Sequence, residues 1–154
     1  IGNSLINARS ETLKEKPAFR GSLNRRRCLV LADGFYEWKT TSGRKVPYRV
    51  ELRGREPFAM AGLCSTWKDP DGKSIDTFAI VTTNANEIVG TIHDRMPVIF
   101  TPEQESKWID LSFDFQEVNQ YLLPYSENDM EIYPISTLVN NPKNDIPEIL
   151  EPIR

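Results

Sequence analysis

Cysteine and histidine are scarce in this sequence of 154 residues, which contains two cysteines and one histidine. The cysteines, Cys28 and Cys64, have a separation that matches no zinc-binding pattern. A zinc site of the usual Cys/His kind needs more ligands than the sequence offers, so we expect neither a metal nor another cofactor. Each cysteine lies in an apolar, strand-like run, which is typical of a buried free thiol in a reducing cytosol.

Long apolar runs are also missing. The longest, such as Cys28–Ala32 and Met96–Phe100, are only a few residues long, whereas a membrane helix needs about 20. Residues 1–20 hold no apolar stretch of the kind found in signal peptides. Because apolar residues still make up 39% of the chain, the composition predicts a folded core in a single domain spanning 1–154.

The charge is unevenly distributed along the chain. Residues 1–55 hold 13 Lys and Arg against 5 Asp and Glu, a net charge of +8. Residues 56–154 hold 6 against 17, a net charge of -11. A basic half in an acidic chain indicates either a surface that faces a polyanion or two halves that pack against each other, and charge alone leaves both open.

Strand patterns dominate the middle of the chain. Alternating apolar residues over 46–52 are typical of a half-buried strand, and turn residues such as Asp69–Gly72 separate the runs. We predict an antiparallel meander with strands at Arg27–Ala32, Phe35–Lys39, 46–52, Phe58–Cys64 and Asp76–Thr83.

Helix signals lie on both sides of this meander. Thr101-Pro102-Glu103 predicts a helix to about Asp110, with a cap, a proline in the first turn and an acid near the N-terminus. Further helices are predicted at Ser10–Lys16, which Pro17 would end, and at Phe115–Leu123. The fold class that follows is α+β, with an antiparallel, barrel-like sheet as the core and helices at its periphery.

Glu37 lies among aromatic residues in the segment Gly34–Trp38. A carboxylate that loses hydration has a raised pKa and can act as a general acid near neutral pH. Alternatively, Glu37 points to solvent or pairs with Lys39 or Arg49. The residues alone leave these alternatives open.

His93 is the only side chain here that titrates near pH 7 without help. It lies in the charged segment His93–Pro97, and loops often carry catalytic residues. A structural hydrogen-bonding role is the simpler alternative. A Ser-His-Asp triad also stays open, although the sequence has no Gly-x-Ser-x-Gly segment.

Two other segments suit an anionic partner. Asn7 and Arg9 precede the first predicted helix, whose N-terminus would help them to bind an anion; a plain capping turn is the alternative. Trp38 lies in the basic half and offers a face on which unstacked bases of single-stranded nucleic acid could stack. Core packing is the alternative for Trp38.

These residues carry a resemblance to a known family. Four separated segments closely resemble, in this order, those of the SRAP (SOS-response-associated peptidase) family: Ile6–Glu11, Ala32–Trp38, Phe78–Thr83 and Ile92–Pro97. The segment Val139–Asn141 also looks like the family's C-terminal Val-Asn segment. The resemblance covers essentially the whole chain and so implies a single SRAP-like domain over 1–154.

The resemblance implies a DNA-damage protein that senses abasic sites in single-stranded DNA and forms a covalent cross-link. In the family, the nucleophile is an N-terminal cysteine that autoproteolytic removal of the initiator Met exposes. Its amine and thiol condense with the ring-opened sugar aldehyde to give a thiazolidine. This sequence starts at Ile1, and Cys28 and Cys64 have no free α-amine, so we expect that the family's N-terminal cysteine segment is absent from it.

Catalytic roles follow from the same resemblance. Asn7 would position the cysteine or the abasic sugar by hydrogen bonding. Glu37 would donate and accept protons during sugar ring opening and imine formation. His93 would assist proton transfer and serve as the acid or base in strand cleavage or cross-link reversal.

The resemblance also implies three residues for DNA binding. Arg9 would hold a flanking phosphate through its guanidinium group. Trp38 would pack against the DNA near the lesion, and Thr82 would support the site by hydrogen bonding.

The expected protein is therefore an enzyme with autopeptidase and lyase-type activity whose partner is single-stranded DNA with abasic sites. We expect a cytoplasmic monomer that associates with the nucleoid when it binds DNA. Two alternatives stay open: a thiol peptidase that acts on other proteins, and a module that binds single-stranded DNA without a covalent step.

Overall fold

The structure, a computed structural model, describes residues 6–153 and divides them into two compact units. Unit 1 comprises residues 6–31, Ala59–Asn84 and Pro97–Tyr125. Unit 2 comprises Ala32–Phe58, Ala85–Met96 and residues 126–153.

Strands make up much of both units. Within residues 6–153 they are β1 (Asn7–Arg9), β2 (Arg27–Ala32), β3 (Phe35–Thr41), β4 (Arg44–Leu52), β5 (Phe58–Lys68), β6 (Ser74–Asn84), β7 (Arg95–Pro97), β8 (Ile99–Phe100) and β9 (Met130–Pro134). The strands of the predicted meander are all present, and β2 has the predicted bounds.

The sheet of unit 1 has the strand order β1-β6-β5-β2, and β8 pairs with β5. β5 and β6 are antiparallel, whereas β1 adds to β6 in parallel. Because side chains alternate between the faces of a strand, one face of this sheet buries a row of apolar residues that includes Ala8, Ala61, Leu63, Ala79 and Val81.

The helices of unit 1 cover this apolar face. They are α1 (Pro17–Leu23), α3 (Pro102–Ile109) and α4 (Phe115–Val118). Trp108 of α3 is fully buried in the core, where a large apolar side chain contributes about 1.5–3 kcal/mol. The predicted start of α3 is confirmed, since Thr101 and Gln104 form a capping box and Pro102 occupies the first turn.

The region before β2 differs from the prediction. The predicted helix over Ser10–Lys16 is only a 3-10 turn at Ser10–Thr12. Pro17 begins α1 and does not end a helix, because proline at the first helical position lacks only an N–H that the helix would leave unpaired.

Arg27 is buried, although it ends the basic tract Arg25–Arg27. Its guanidinium donates hydrogen bonds to the carbonyl oxygens of Trp108 and of Leu23 (3.0 Å). Two further bonds reach the carbonyls of Asp110 (2.7 Å) and Phe113 (2.9 Å). Arg27 therefore caps the C-terminal ends of α1 and α3, where the helix dipoles favour a cation, and it does not belong to a DNA-facing surface.

Unit 2 is built on a three-stranded antiparallel sheet with the order β3-β4-β9. Ser42 and Gly43 join β3 to β4, and both have positive φ (49° and 77°). Two such residues match the twist of a tight β-hairpin. The short helix α2 (Glu87–Gly90) also belongs to this unit, and the side chain of Asn86 caps it.

The mixed content of sheets and few, short helices confirms the predicted α+β class with a curled, half-barrel sheet. The strands of the predicted meander are divided between the two sheets. Within residues 6–153, no helix is both long and apolar enough to cross a membrane.

Candidate functional site

Glu37 lies in the middle of β3, opposite Tyr48 of β4. Its side chain is 22% exposed. Burial raises the pKa of Glu37 above its ordinary value, and the nearby carboxylate of Asp94 adds to this rise. His93 and a hydrogen bond from the backbone of Trp38 oppose it without reversing it. The desolvated carboxyl group expected at this position is therefore present.

His93 lies beside Glu37 in unit 2. Its Nδ1 is 4.0 Å from Glu37 Oε1 and 3.4 Å from Asp94 Oδ1. The backbone N–H of Arg95 donates to the same Nδ1 at 3.0 Å. The carbonyl oxygen of Arg95 lies 3.2 Å from the same Nδ1, so the backbone of Arg95 holds the ring on this side. The ring is 41% exposed, so solvent or a ligand can reach it.

Arg49 is not a partner of Glu37, which removes one of the alternatives for that carboxylate. Its guanidinium donates to Glu51 Oε2 at 2.8 Å and lies 3.1 Å from Asp33 Oδ1. Arg49 and Glu51 are both buried. A Cβ on Gly34 would come within 2.8 Å of the Arg49 guanidinium carbon, so the glycine of the Ala32–Trp38 segment makes room for this ion pair.

Trp38 follows Glu37 on β3, so its side chain lies on the opposite face of the strand. The indole is half-buried, and its N–H donates to Asn140 Oδ1 at 2.8 Å. This bond joins the Ala32–Trp38 segment to the Val139–Asn141 segment. The DNA contact of Trp38 stays a prediction.

Asn7, Arg9 and Thr82 lie together on unit 1. β1 pairs with β6 so that Arg9 is opposite Thr82 and Asn7 is opposite Ile80. Asn7 and Arg9 are exposed and Ala8 between them is buried, which places both polar side chains on one face of the sheet. Because only a 3-10 turn follows Arg9, the expected anion site at the N-terminus of an α-helix does not form.

The two cysteines are half-buried in unit 1 and form no disulfide. Burial, together with a hydrogen bond and charge interaction with Cys64, raises the pKa of Cys28 to about 12. A thiol with such a pKa is almost entirely protonated at neutral pH and is a poor nucleophile. Among residues 6–153, no group of three or more His, Cys, Asp and Glu side chains could hold a metal ion.

Sequence reasoning missed three polar residues that shape the site region: Arg49 as a buried cation, Asn86 as the cap of α2, and Asn140 as the partner of Trp38. A signal existed for Asn86, because the acidic residue Glu87 follows it in the first turn. A local signal also existed for Arg49, because Glu51 lies two positions along the same strand and therefore on the same face. The partner of Asn140 lies 102 positions away, so no local pattern indicates it.

Comparison with known proteins identifies the family. The family model described as "SOS response associated peptidase (SRAP)" matches residues 1–142. The abasic site processing protein YoqW of Bacillus subtilis (strain 168) is 47% identical over 153 residues, which span 98% of this chain and 68% of YoqW. The abasic site processing protein HMCES of Gallus gallus is 36% identical over 168 residues, spanning 96% of this chain and 50% of HMCES.

A solved structure shares the fold. The X-ray crystal structure of a protein from Bacteroides thetaiotaomicron superimposes with a TM-score of 0.91 at 33% sequence identity, covering 99% of this chain and 67% of that one. The match to the family model covers most of the sequence, and the segments that carry the resemblance lie on strands and loops of the two units. The chain belongs to the SOS response associated peptidase (SRAP) family.

Proposed function

We propose that this protein processes abasic sites in single-stranded DNA and cross-links to them covalently. The relatives named abasic site processing proteins support the substrate class. The pairing of Glu37 with His93 supports the chemistry, and it is the observation on which the proposal chiefly rests. Within the proposal, residues 1–154 act as one SRAP-like domain.

An imine-forming reaction needs a group that gives and takes protons near neutral pH. Glu37 suits this task because burial raises its pKa toward the operating range. His93, 4.0 Å away, is the second proton carrier. Both groups are partly exposed, which allows contact with a bound sugar.

The proposed covalent steps conserve atoms and electrons. The α-amine of an N-terminal cysteine, exposed by autoproteolytic removal of the initiator Met, attacks C1′ of the ring-opened sugar and forms a carbinolamine. The Glu37 carboxyl group donates a proton to the leaving hydroxyl, water departs, and the iminium nitrogen returns its proton to the Glu37 carboxylate as the imine forms. The cysteine sulfur then adds to the imine carbon and its proton passes to the nitrogen, which closes the thiazolidine. One water is released for each adduct.

The proposal gives four further residues a part in holding the DNA. On unit 1, Arg9 holds a phosphate, Thr82 supports the site by hydrogen bonding, and Asn7 positions the reacting groups. On unit 2, Trp38 packs against the DNA near the lesion. The exposure of Asn7 and Arg9 on one sheet face supports their part, and the hydrogen bond to Asn140 holds the Trp38 ring in one orientation.

The test is incubation of the full-length gene product with single-stranded DNA that carries one abasic site. An adduct that resists SDS is expected with abasic DNA and not with intact DNA of the same sequence. Treatment of the abasic DNA with a hydroxylamine, which blocks the aldehyde, is the matched control and abolishes the adduct.

Two other outcomes would overturn the proposal. Equal binding of intact and abasic strands with no adduct would make the protein a non-covalent DNA-binding module. Cleavage of unrelated peptides by the same preparation, with no adduct, would make it a thiol peptidase that acts on other proteins.

A further inference from the structure

Asn86 is a buried polar residue of unit 2 that the proposed chemistry does not use. It is 8% exposed and precedes α2. Its side-chain Oδ1 accepts a hydrogen bond from the Val89 N–H at 3.0 Å, and its carbonyl accepts from the Gly90 N–H at 2.8 Å. Asn86 is thus the N-cap of a helix that is only four residues long.

This short helix positions the backbone of His93. The carbonyl of Val89 accepts hydrogen bonds from the N–H groups of Ile92 and His93, each at 3.0 Å. Val89 therefore links the two residues: its N–H donates to the Asn86 side chain, and its carbonyl accepts from the His93 N–H. The other backbone bonds of this single turn are the one from the Gly90 N–H to the Asn86 carbonyl and one from the Thr91 N–H to the Ile88 carbonyl at 3.3 Å. With so few bonds, the cap is a large share of what maintains the geometry of the turn.

Two methionines contact Asn86, one at its side-chain amide and one at its backbone nitrogen. Its Nδ2 lies 3.2 Å from the sulfur of Met130, and its backbone N–H lies 3.4 Å from the sulfur of Met96. Both methionines are fully buried. With Oδ1 on Val89 and Nδ2 on Met130, the amide has one orientation that satisfies both ends.

We propose that Asn86 is a positioning residue that holds His93 beside Glu37. The expected effect on the rate of adduct formation rests on the proposed function. The expected effect on the position of the His93 ring does not. Loss of the cap would release the turn over 89–93, and the imidazole would no longer stay 4.0 Å from the Glu37 carboxylate. Asn86 itself touches neither reacting group.

NMR tests directly whether Asn86 holds the His93 ring in place, because His93 is the only histidine in the sequence. The Cε1–H signal of a selectively labelled chain is therefore assigned without ambiguity. In Asn86→Leu, which keeps the branching and the number of side-chain heavy atoms and removes the acceptor, the signal is expected to move toward its position in the unfolded chain and to broaden. In Asn86→Ser and Asn86→Asp, which keep an acceptor oxygen at the cap, it is expected to stay near the wild-type position.

The effect of Asn86 on activity is measured as the rate of adduct formation at saturating abasic DNA. Since an N-cap is worth about fivefold to tenfold in an equilibrium, Asn86→Leu is expected to lower this rate by about that factor and leave the DNA Kd unchanged. Asn86→Ser recovers most of the rate. In a His93→Gln background, Asn86→Leu has no further effect, because the residue that it positions is already gone.

A matched control separates positioning from general destabilisation. Val118→Ala removes a buried side chain from the core of unit 1 and lowers the thermal midpoint without touching α2. Its rate, measured well below the midpoint, is expected to equal that of the wild type. An unmoved His93 signal in Asn86→Leu, or a rate loss that persists in the His93→Gln background, would overturn the inference. Absence of any wild-type adduct would overturn the proposed function and leave the NMR result standing.

Discussion

The two units hold their charged groups in different ways. In unit 2 the partners are other side chains: Arg49 lies against the buried carboxylate of Glu51 at 2.8 Å, and His93 lies beside Glu37 at 4.0 Å. Such partners titrate, and each can be replaced by substitution. Unit 2 should therefore respond to pH and to changes of charge.

In unit 1 the partners are mostly backbone groups. Arg27 donates to four carbonyl oxygens, and parallel pairing of β1 with β6 sets the position of Arg9. Backbone groups neither titrate nor change with a substitution. Within the proposed function, Glu37 and His93 of unit 2 transfer protons, whereas Arg9 of unit 1 binds a phosphate.

The largest expected effect is on the rate of adduct formation. Glu37→Gln keeps the size of the side chain and removes its proton chemistry, so we expect a loss of about 100- to 10,000-fold at saturating abasic DNA. The DNA Kd should stay within about twofold. Measurement of rate and Kd on the same preparations checks this, and Glu148→Gln, an exposed carboxylate of unit 2, is the control. A change in Kd with no change in rate would place the chemistry elsewhere.

The buried arginines give the next largest effect, measured as the free energy of unfolding in urea. Arg49→Met leaves the buried Glu51 without its main partner and should cost about 3–5 kcal/mol. Arg27→Met leaves carbonyl oxygens without a donor and should cost about 1–3 kcal/mol.

A second substitution sharpens this contrast. Arg49→Met combined with Glu51→Leu should recover most of the stability, because replacing both members of a buried ion pair by apolar groups is often neutral. The partners of Arg27 are backbone carbonyls, which every residue has. A second substitution at a partner therefore cannot recover the stability lost in Arg27→Met. A double variant as unstable as Arg49→Met would show that Glu51 is held by other groups.

Arg9 should affect binding and leave the chemistry intact. Arg9→Ala is expected to weaken binding of abasic and intact single strands alike, and to reduce the slope of log K against log salt by about 1. The adduct rate at saturating DNA should not change. Arg44→Ala, an exposed cation of unit 2 in the basic half, is the control. A lower rate of adduct formation by Arg9→Ala at saturating DNA would contradict the assignment of Arg9 to DNA binding alone.

Local signals allowed much of the fold to be predicted. The turns and alternating residues of the meander and the capping residues of α3 act within a few positions, and they were interpreted correctly. Pro17 was misread because a proline can end one helix or begin another, and the sequence does not distinguish the two.

The charged residues were harder to interpret because their partners are distant in the chain. Arg27 looked like its neighbours in a basic tract, yet it bonds residues more than 80 positions away. The prominence of Glu37 and His93 was visible in sequence, and their proximity was not. Only the fold brings β3 next to the turn that follows α2.

The smallest expected effect is the pH dependence of stability that Glu37 contributes. Because burial raises its folded pKa above the ordinary value of 4.5, the folded state binds the proton more tightly than the unfolded state. Below about pH 4.5 Glu37 is protonated in both the folded and the unfolded state, and its burial then does not lower the free energy of unfolding. As pH rises through the folded pKa, the desolvated carboxylate forms and the wild type loses stability relative to Glu37→Gln.

Glu37→Gln should therefore be more stable than the wild type at pH 7, and the two should converge toward pH 4. Urea unfolding of both proteins between pH 4 and pH 8 measures the difference. An opposite slope, with the wild type gaining stability as the pH rises, would mean that an ion pair with His93 outweighs burial at Glu37. That result would leave unit 2 as the unit with side-chain partners, but it would make Glu37 a carboxylate stabilised by its partner, like Glu51, and would contradict its assignment as a proton donor.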